Sequence, residues 1–169
     1  MKQHSLRILR FALVLAMAMT VLYAPALVDW MAARPSPNVR LYAAIGSRDL
    51  SRFDVAIAEG ASVHARTADD SFPLIEAAGL GQLQMVQRLI AAGVDLDAVD
   101  AHGMTAIMRA AMQDHVKVVE LLMRHGADTS RRDHRNRTAF DVAEDTSSTR
   151  CARVLRSGCI RTNVVSPAG

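Results

Sequence analysis

A chain of 169 residues, half of them hydrophobic and only 4% aromatic, suits one domain with a core of small and aliphatic side chains. Its formal charge of +3 comes from Lys2, Arg7 and Arg10; beyond residue 26 the chain carries 17 basic and 17 acidic residues, without the basic surplus of a nucleic-acid binder. No run alternates β-branched with polar residues, so no sheet is expected.

Met1 to Arg10 is polar and basic, and Phe11 to Val28 runs eighteen residues without a charge. Two readings fit. In the first, residues 1–26 are a cleaved signal peptide with Ala24-Pro25-Ala26 as its small-x-small site. In the second, the same segment stays as a membrane anchor, with Tyr23 and Trp30 at the interface. Both leave the basic flank in the cytoplasm and carry the rest of the chain across the membrane. The expected location is the periplasm, or the inner membrane facing it. Residues 27–37, with Ala33-Arg34-Pro35-Ser36-Pro37, read as a linker.

The remainder repeats itself every 33 residues. Gly60, Gly93 and Gly126 keep this interval, as do Ala44, Ala77, Ala110 and Ala143, and also Asp95 and Asp128. Within a unit a short helix is expected at Phe72–Leu80 or Thr105–Gln113. A break follows near Gly81 or Asp114. A second helix is expected at Leu83–Ala92 or His115–His125, where Val118, Val119, Leu121 and Leu122 make one apolar face. Gly93 and Gly126 stop the second helices, where a left-handed backbone is needed. Asp70, Gly103 and Asn136 occupy equivalent turn positions, and these residue types tolerate positive φ.

A 33-residue unit of two helices and a turn resembles the ankyrin repeat. Gly103-Met104-Thr105-Ala106-Ile107-Met108-Arg109-Ala110-Ala111 follows that family's G-x-T-P-L-H-x-A-A pattern. Val118-Val119-Glu120-Leu121-Leu122 and His125-Gly126-Ala127-Asp128 match its V-V-x-L-L and x-G-A-D. The implied fold is an all-α solenoid of about four repeats: 34–66, 67–99, 100–132 and 133–159, with a disordered tail at 160–169. The outer copies are degenerate, as capping repeats usually are. In the second copy Phe72 and Ile75 replace the motif's Thr and His, and in the third Met108 replaces His, so these units lean more on packing.

The resemblance also implies a non-enzymatic, monomeric protein-binding module that uses its turn tips and first helices. In this chain those positions are Asp69, Ser71 and Leu80, then Ala101, His102, Met104, Met112 and Gln113, and finally His134, Arg135 and Arg137, with Ala68, Gly79, Asp145 and Thr146 beside them. Met104 and Met112 are expected at its exposed centre, because Met serves adaptable surfaces. The face should grade from acidic to basic: Leu41–Asp100 holds four basic and nine acidic residues, Arg124–Arg161 nine and five.

No other chemistry is suggested. The histidines lack metal-ligand spacing, no nucleophile motif or phosphate loop occurs, and neither metal nor cofactor is expected. Cys151 matches core position Val118 in the repeat frame. It reads either as a buried hydrophobe or, if the chain folds back after Gly158, as the partner of Cys159 in a disulfide.

Overall fold

The computed structural model describes residues 34–67 and 70–162, with side chains to residue 157. The signal-or-anchor expectation and most of the expected linker lie outside these residues. The chain divides into two units, residues 1–36 and 37–169, and the helices described below belong to the second. Among the described residues there are eight helices and no strand: α1 (Pro37–Ser47), α2 (Leu50–Ala58), α3 (Pro73–Gly79), α4 (Leu83–Ala91), α5 (Ala106–Met112), α6 (Val116–Arg124), α7 (Ala139–Asp145) and α8 (Thr149–Thr162). They form four antiparallel pairs stacked in sequence. The odd-numbered helices make one layer and the even-numbered helices the other. None of these helices is long and apolar enough to cross a membrane.

Each helix starts for a local reason. Thr105 caps α5 by accepting the Met108 N–H, and Thr138 forms a full capping box with Asp141 at α7. Asp49 accepts the Arg52 N–H at α2. Phe72 offers α3 no side-chain cap, but Pro73 at the first helical position removes one of the donors that would need it.

The stops are equally regular. Three backbone positions per repeat sit at positive φ, and each recurs after 33 residues. The break inside each pair uses Arg48, Gly81, Asp114 and Ser147. The end of the second helix uses Gly60, Gly93 and Gly126, and the turn tip uses Asp70, Gly103 and Asn136. Behind each helix-ending glycine, the next N–H returns to the helix: Ala61 to the Ala56 carbonyl at 2.9 Å and Ala127 to the Leu122 carbonyl at 3.1 Å. Ala61, Val94 and Ala127, one residue past the glycines, are all buried against the turn they close.

Packing differs between the layers. The first-helix layer buries Ala44, Ala77, Ala78, Ala110, Ala111 and Ala143, so these short helices approach closely. The second layer fills its space with Phe53, Val86, Leu89, Val119, Leu122, Cys151 and Leu155. The core is continuous from Leu41 to Leu155. Cys151 is fully buried, as its equivalence to Val118 suggested, and is a free thiol whose pKa burial pushes up to about 12, with the Asp114 carboxylate adding to the rise. Helix α8 continues through Gly158 to Thr162 instead of folding back, so it also includes the start of the expected tail. Cys151 and Cys159 therefore stand eight residues apart on one helix, about 12 Å along its axis. A disulfide needs Cα atoms within about 7 Å, so this helix does not allow the expected bridge; the Cys159 side chain itself lies outside the described residues.

Two glycines separate backbone strain from steric conflict. A Cβ on Gly93, at φ +78°, would meet nothing within 4 Å, whereas one on Gly103, at φ +73°, would lie 2.9 Å from the His134 backbone nitrogen. Gly93→Ala is expected to cost about 1 kcal/mol, from the left-handed backbone alone. Gly103→Ala is expected to cost about 2–3 kcal/mol, since the backbone of the next turn must also move. Thermal melts of the two variants check the order.

Candidate functional site

The loops between helix pairs project as turns, and each is closed at its base by one polar side chain. In the third repeat Asp100 does this. Its Oδ1 accepts the His102 N–H at 2.8 Å and the Met104 N–H at 2.9 Å, while its own N–H donates to the Met104 carbonyl at 3.1 Å. Its Oδ2 receives Arg109 through Nε at 3.1 Å and Nη2 at 2.7 Å. Asp133 repeats this in the fourth unit, taking the Arg135 and Arg137 N–H groups at 2.9 Å each, with the Arg137 guanidinium at 2.7 Å. In the second repeat Thr67 takes the place of the aspartate and accepts the Ser71 N–H at 3.0 Å.

The supporting cation comes from different places. Arg109 reaches Asp100 from helix α5, but its counterpart one repeat later is Val142, and Arg137 of the turn itself serves Asp133 instead. In the second repeat, Ser71 donates from its hydroxyl to Glu76 at 2.7 Å. Burial raises the pKa of Asp100, but the Arg109 hydrogen bond and the Met104 and His102 N–H groups outweigh it and hold the carboxyl below its usual range. Asp133 has the same balance: burial raises its pKa, and the Arg137 and Arg135 bonds lower it further than burial lifts it.

These closures correct two expectations. Ser71 and Met104 are buried, 4% and 6% exposed, not displayed at the tip. Both occupy the position whose backbone pairs with the turn's first residue, which turns the side chain under the tip. Arg137 is their equivalent and is half-buried for the same reason.

Adjacent turns are joined. The His134 N–H donates to the His102 carbonyl at 3.1 Å. Between them lies an open cleft of about 280 Å³, lined by His102, Met104, Met112, Asp133, His134, Arg135 and Arg137. Met104 forms its floor. A smaller hollow of about 190 Å³ between α3 and α5 holds Leu80, Gln113, Glu76, Gly79 and Arg109 and shares Met112 with the cleft. The structure thus brings together His102, Met104, Met112, His134, Arg135 and Arg137, and sets Leu80 and Gln113 beside them. Ala101 is exposed at the tip and lines neither hollow. Asp69, with Ala68, lies outside the described residues. His115 is structural: its Nε2–H donates to the Gly79 carbonyl at 3.0 Å.

The whole arrangement recurs by repeat, and the comparisons agree. The ankyrin-repeat model (three copies) matches residues 41–133 and 74–164, well over half the chain. The chain belongs to the ankyrin-repeat family. Ankyrin repeats are protein–protein interaction modules and generally not enzymes, which makes this solenoid a protein-interaction module. No curated protein matches the chain.

The sequence reading missed a third concavity of about 520 Å³, which lies between α7 and α8 and is lined by Ala143, Glu144, Ser147, Thr149, Ala152, Arg153 and Arg156. It is the groove that each earlier repeat fills with its successor. It also missed the turn-closing residues, although Thr67, Asp100 and Asp133 sit 33 apart and could have been found by that spacing.

Asp100→Ala strands a partly buried guanidinium and two N–H groups. It is expected to cost about 2 kcal/mol at pH 7. Because the folded carboxyl pKa lies below its unfolded value near 3.9, this contribution is present above pH 4 and is lost as pH falls through the folded pKa. Chemical denaturation from pH 7 to pH 3 should therefore show the wild type losing stability toward the variant's level.

Proposed function

We propose that the solenoid is exported and binds a protein partner as a monomer, using the face made of the cleft and the adjoining hollow, and that it catalyses no reaction. The observation that carries the reading is the continuity of this face. Met112 belongs to both depressions, and the exposed polar or charged side chains of His102, Gln113, His134 and Arg135 stand around it, none of them part of the core. An apolar floor with a polar rim is the anatomy of a recognition surface. Export rests on Lys2, Arg7 and Arg10 followed by the uncharged run Phe11–Val28. On this reading the module serves as a companion or inhibitor of an exported enzyme or toxin. The eighteen-residue length of that run favours a second reading, in which the segment is kept and tethers the module as a scaffold at the outer side of a membrane.

One experiment tests both the face and the compartment. A photo-crosslinking amino acid is placed at Gln113 on the proposed face, or at Lys117 on the exposed side of α6, and intact cells are irradiated. The expected result is one dominant crosslinked protein from Gln113, itself exported, and none from Lys117. Capture only from Lys117 would move the interface to the other layer. A cytoplasmic protein captured at Gln113 would contradict export.

A further inference from the structure

We infer that the cleft between the third and fourth turns receives an acidic protein segment, with an apolar side chain on the methionine floor and a flanking carboxylate at Arg135. The inference rests on the interaction-face reading above and specifies the chemistry of its occupant. Three observations carry it.

The first is charge. Residues 131–137, which form the fourth turn and its approach, carry four arginines against one aspartate. That aspartate, Asp133, is buried, and its oxygens are taken by two backbone N–H groups and the Arg137 guanidinium. Arg137 also pairs with Asp145 at 3.0 Å, and Asp141 is held by the Thr138 N–H and hydroxyl at 2.8 Å each, so the nearby carboxylates are already matched. Arg135 is exposed and makes no ion pair with any described residue. Its charge, with the imidazole N–H donors of His102 and His134 beside it, is left for an external carboxylate.

The second is the floor. Met104 and Met112 offer polarizable thioethers that fit varied aliphatic or aromatic side chains. No Phe, Tyr or Trp lines the cleft, so it lacks the large aromatic rings on which single-stranded nucleic acids stack best.

The third is size. At about 280 Å³ the cleft is open and sits at the small end of the roughly 300–1,000 Å³ of ordinary small-molecule pockets. It suits one inserted side chain, with the rest of the ligand lying across the turns.

The test is selection of a randomised octapeptide display library on the immobilised full chain, held in a mild non-ionic detergent, and on its Arg135→Glu variant. Arg135 is exposed and its side chain supports no other residue, so the variant should keep the wild-type melting temperature. The expected wild-type consensus has Asp or Glu within two positions of Leu, Met or Phe. Individual peptides from it, measured by fluorescence anisotropy, should bind Arg135→Glu about fivefold or more weakly. They should also lose affinity between 50 and 300 mM salt. On Arg135→Glu the consensus should shift toward Lys or Arg. No enrichment, a neutral or basic wild-type consensus, or an acidic consensus indifferent to Arg135→Glu would overturn the inference. So would a twenty-residue oligothymidine that binds as tightly as the peptides, since the site would then be a general polyanion surface. If selection fails while Gln113 still captures a partner by crosslinking, the occupant chemistry is wrong and the interaction face stands.

Discussion

The structure depends on the chain reversing three times in every 33 residues through a left-handed backbone. Among the described residues, glycine supplies five of the ten such positions; Arg48, Asp70, Asp114, Asn136 and Ser147 supply the others. A side chain at positive φ costs about 1–2 kcal/mol relative to glycine, so the surroundings must offset it. At the breaks inside the helix pairs, they do so through bonds that rejoin the first helix. The N–H groups of Asp49, Gln82, His115 and Ser148 each return to an alanine carbonyl five residues back, at 2.8–3.0 Å. Those alanines, Ala44, Ala77, Ala110 and Ala143, are the same residues whose small size lets the first helices pack closely. Backbone reversal and interhelical packing thus converge on one residue per repeat.

The turns follow a looser rule. Every described turn needs an acceptor at its base, but the side chain that supports this acceptor has moved between repeats. Asp100 draws on Arg109 of the following helix, Asp133 on Arg137 of its own turn, and the second repeat links Ser71 to Glu76. This movement leaves the fourth turn with its carboxylate internally matched and Arg135 projecting outward. The outward charge of this turn is a by-product of how the turn is held closed.

Much of the architecture was legible in the sequence, because its cause is periodic. The helix pairs fall within a residue or two of where the apolar spacing put them, and Gly93, Gly126, Asp70, Gly103 and Asn136 all take the positive φ inferred from residue type. Periodicity says which positions are equivalent but not which way an equivalent side chain faces. Met104 was therefore assigned to the exposed centre of the face, although its backbone pairing with Asp100 turns it inward, and Ser71 went the same way. One reading of Cys151 had the chain folding back after Gly158, yet α8 runs through that glycine. A glycine ends a helix only where the following residues can close the turn, and the local composition alone did not reveal that.

The third and fourth turns are locked to one another, so that the cleft is a fixed feature of the folded array and not a gap between independent loops. Amide hydrogen exchange at His134, whose N–H bridges to the His102 carbonyl, tests this most directly. This amide should be protected together with the amides of α5 and open only with the array. Exchange at the rate of an unprotected loop, while α5 stays protected, would show the turns to be independent and contradict the lock between them.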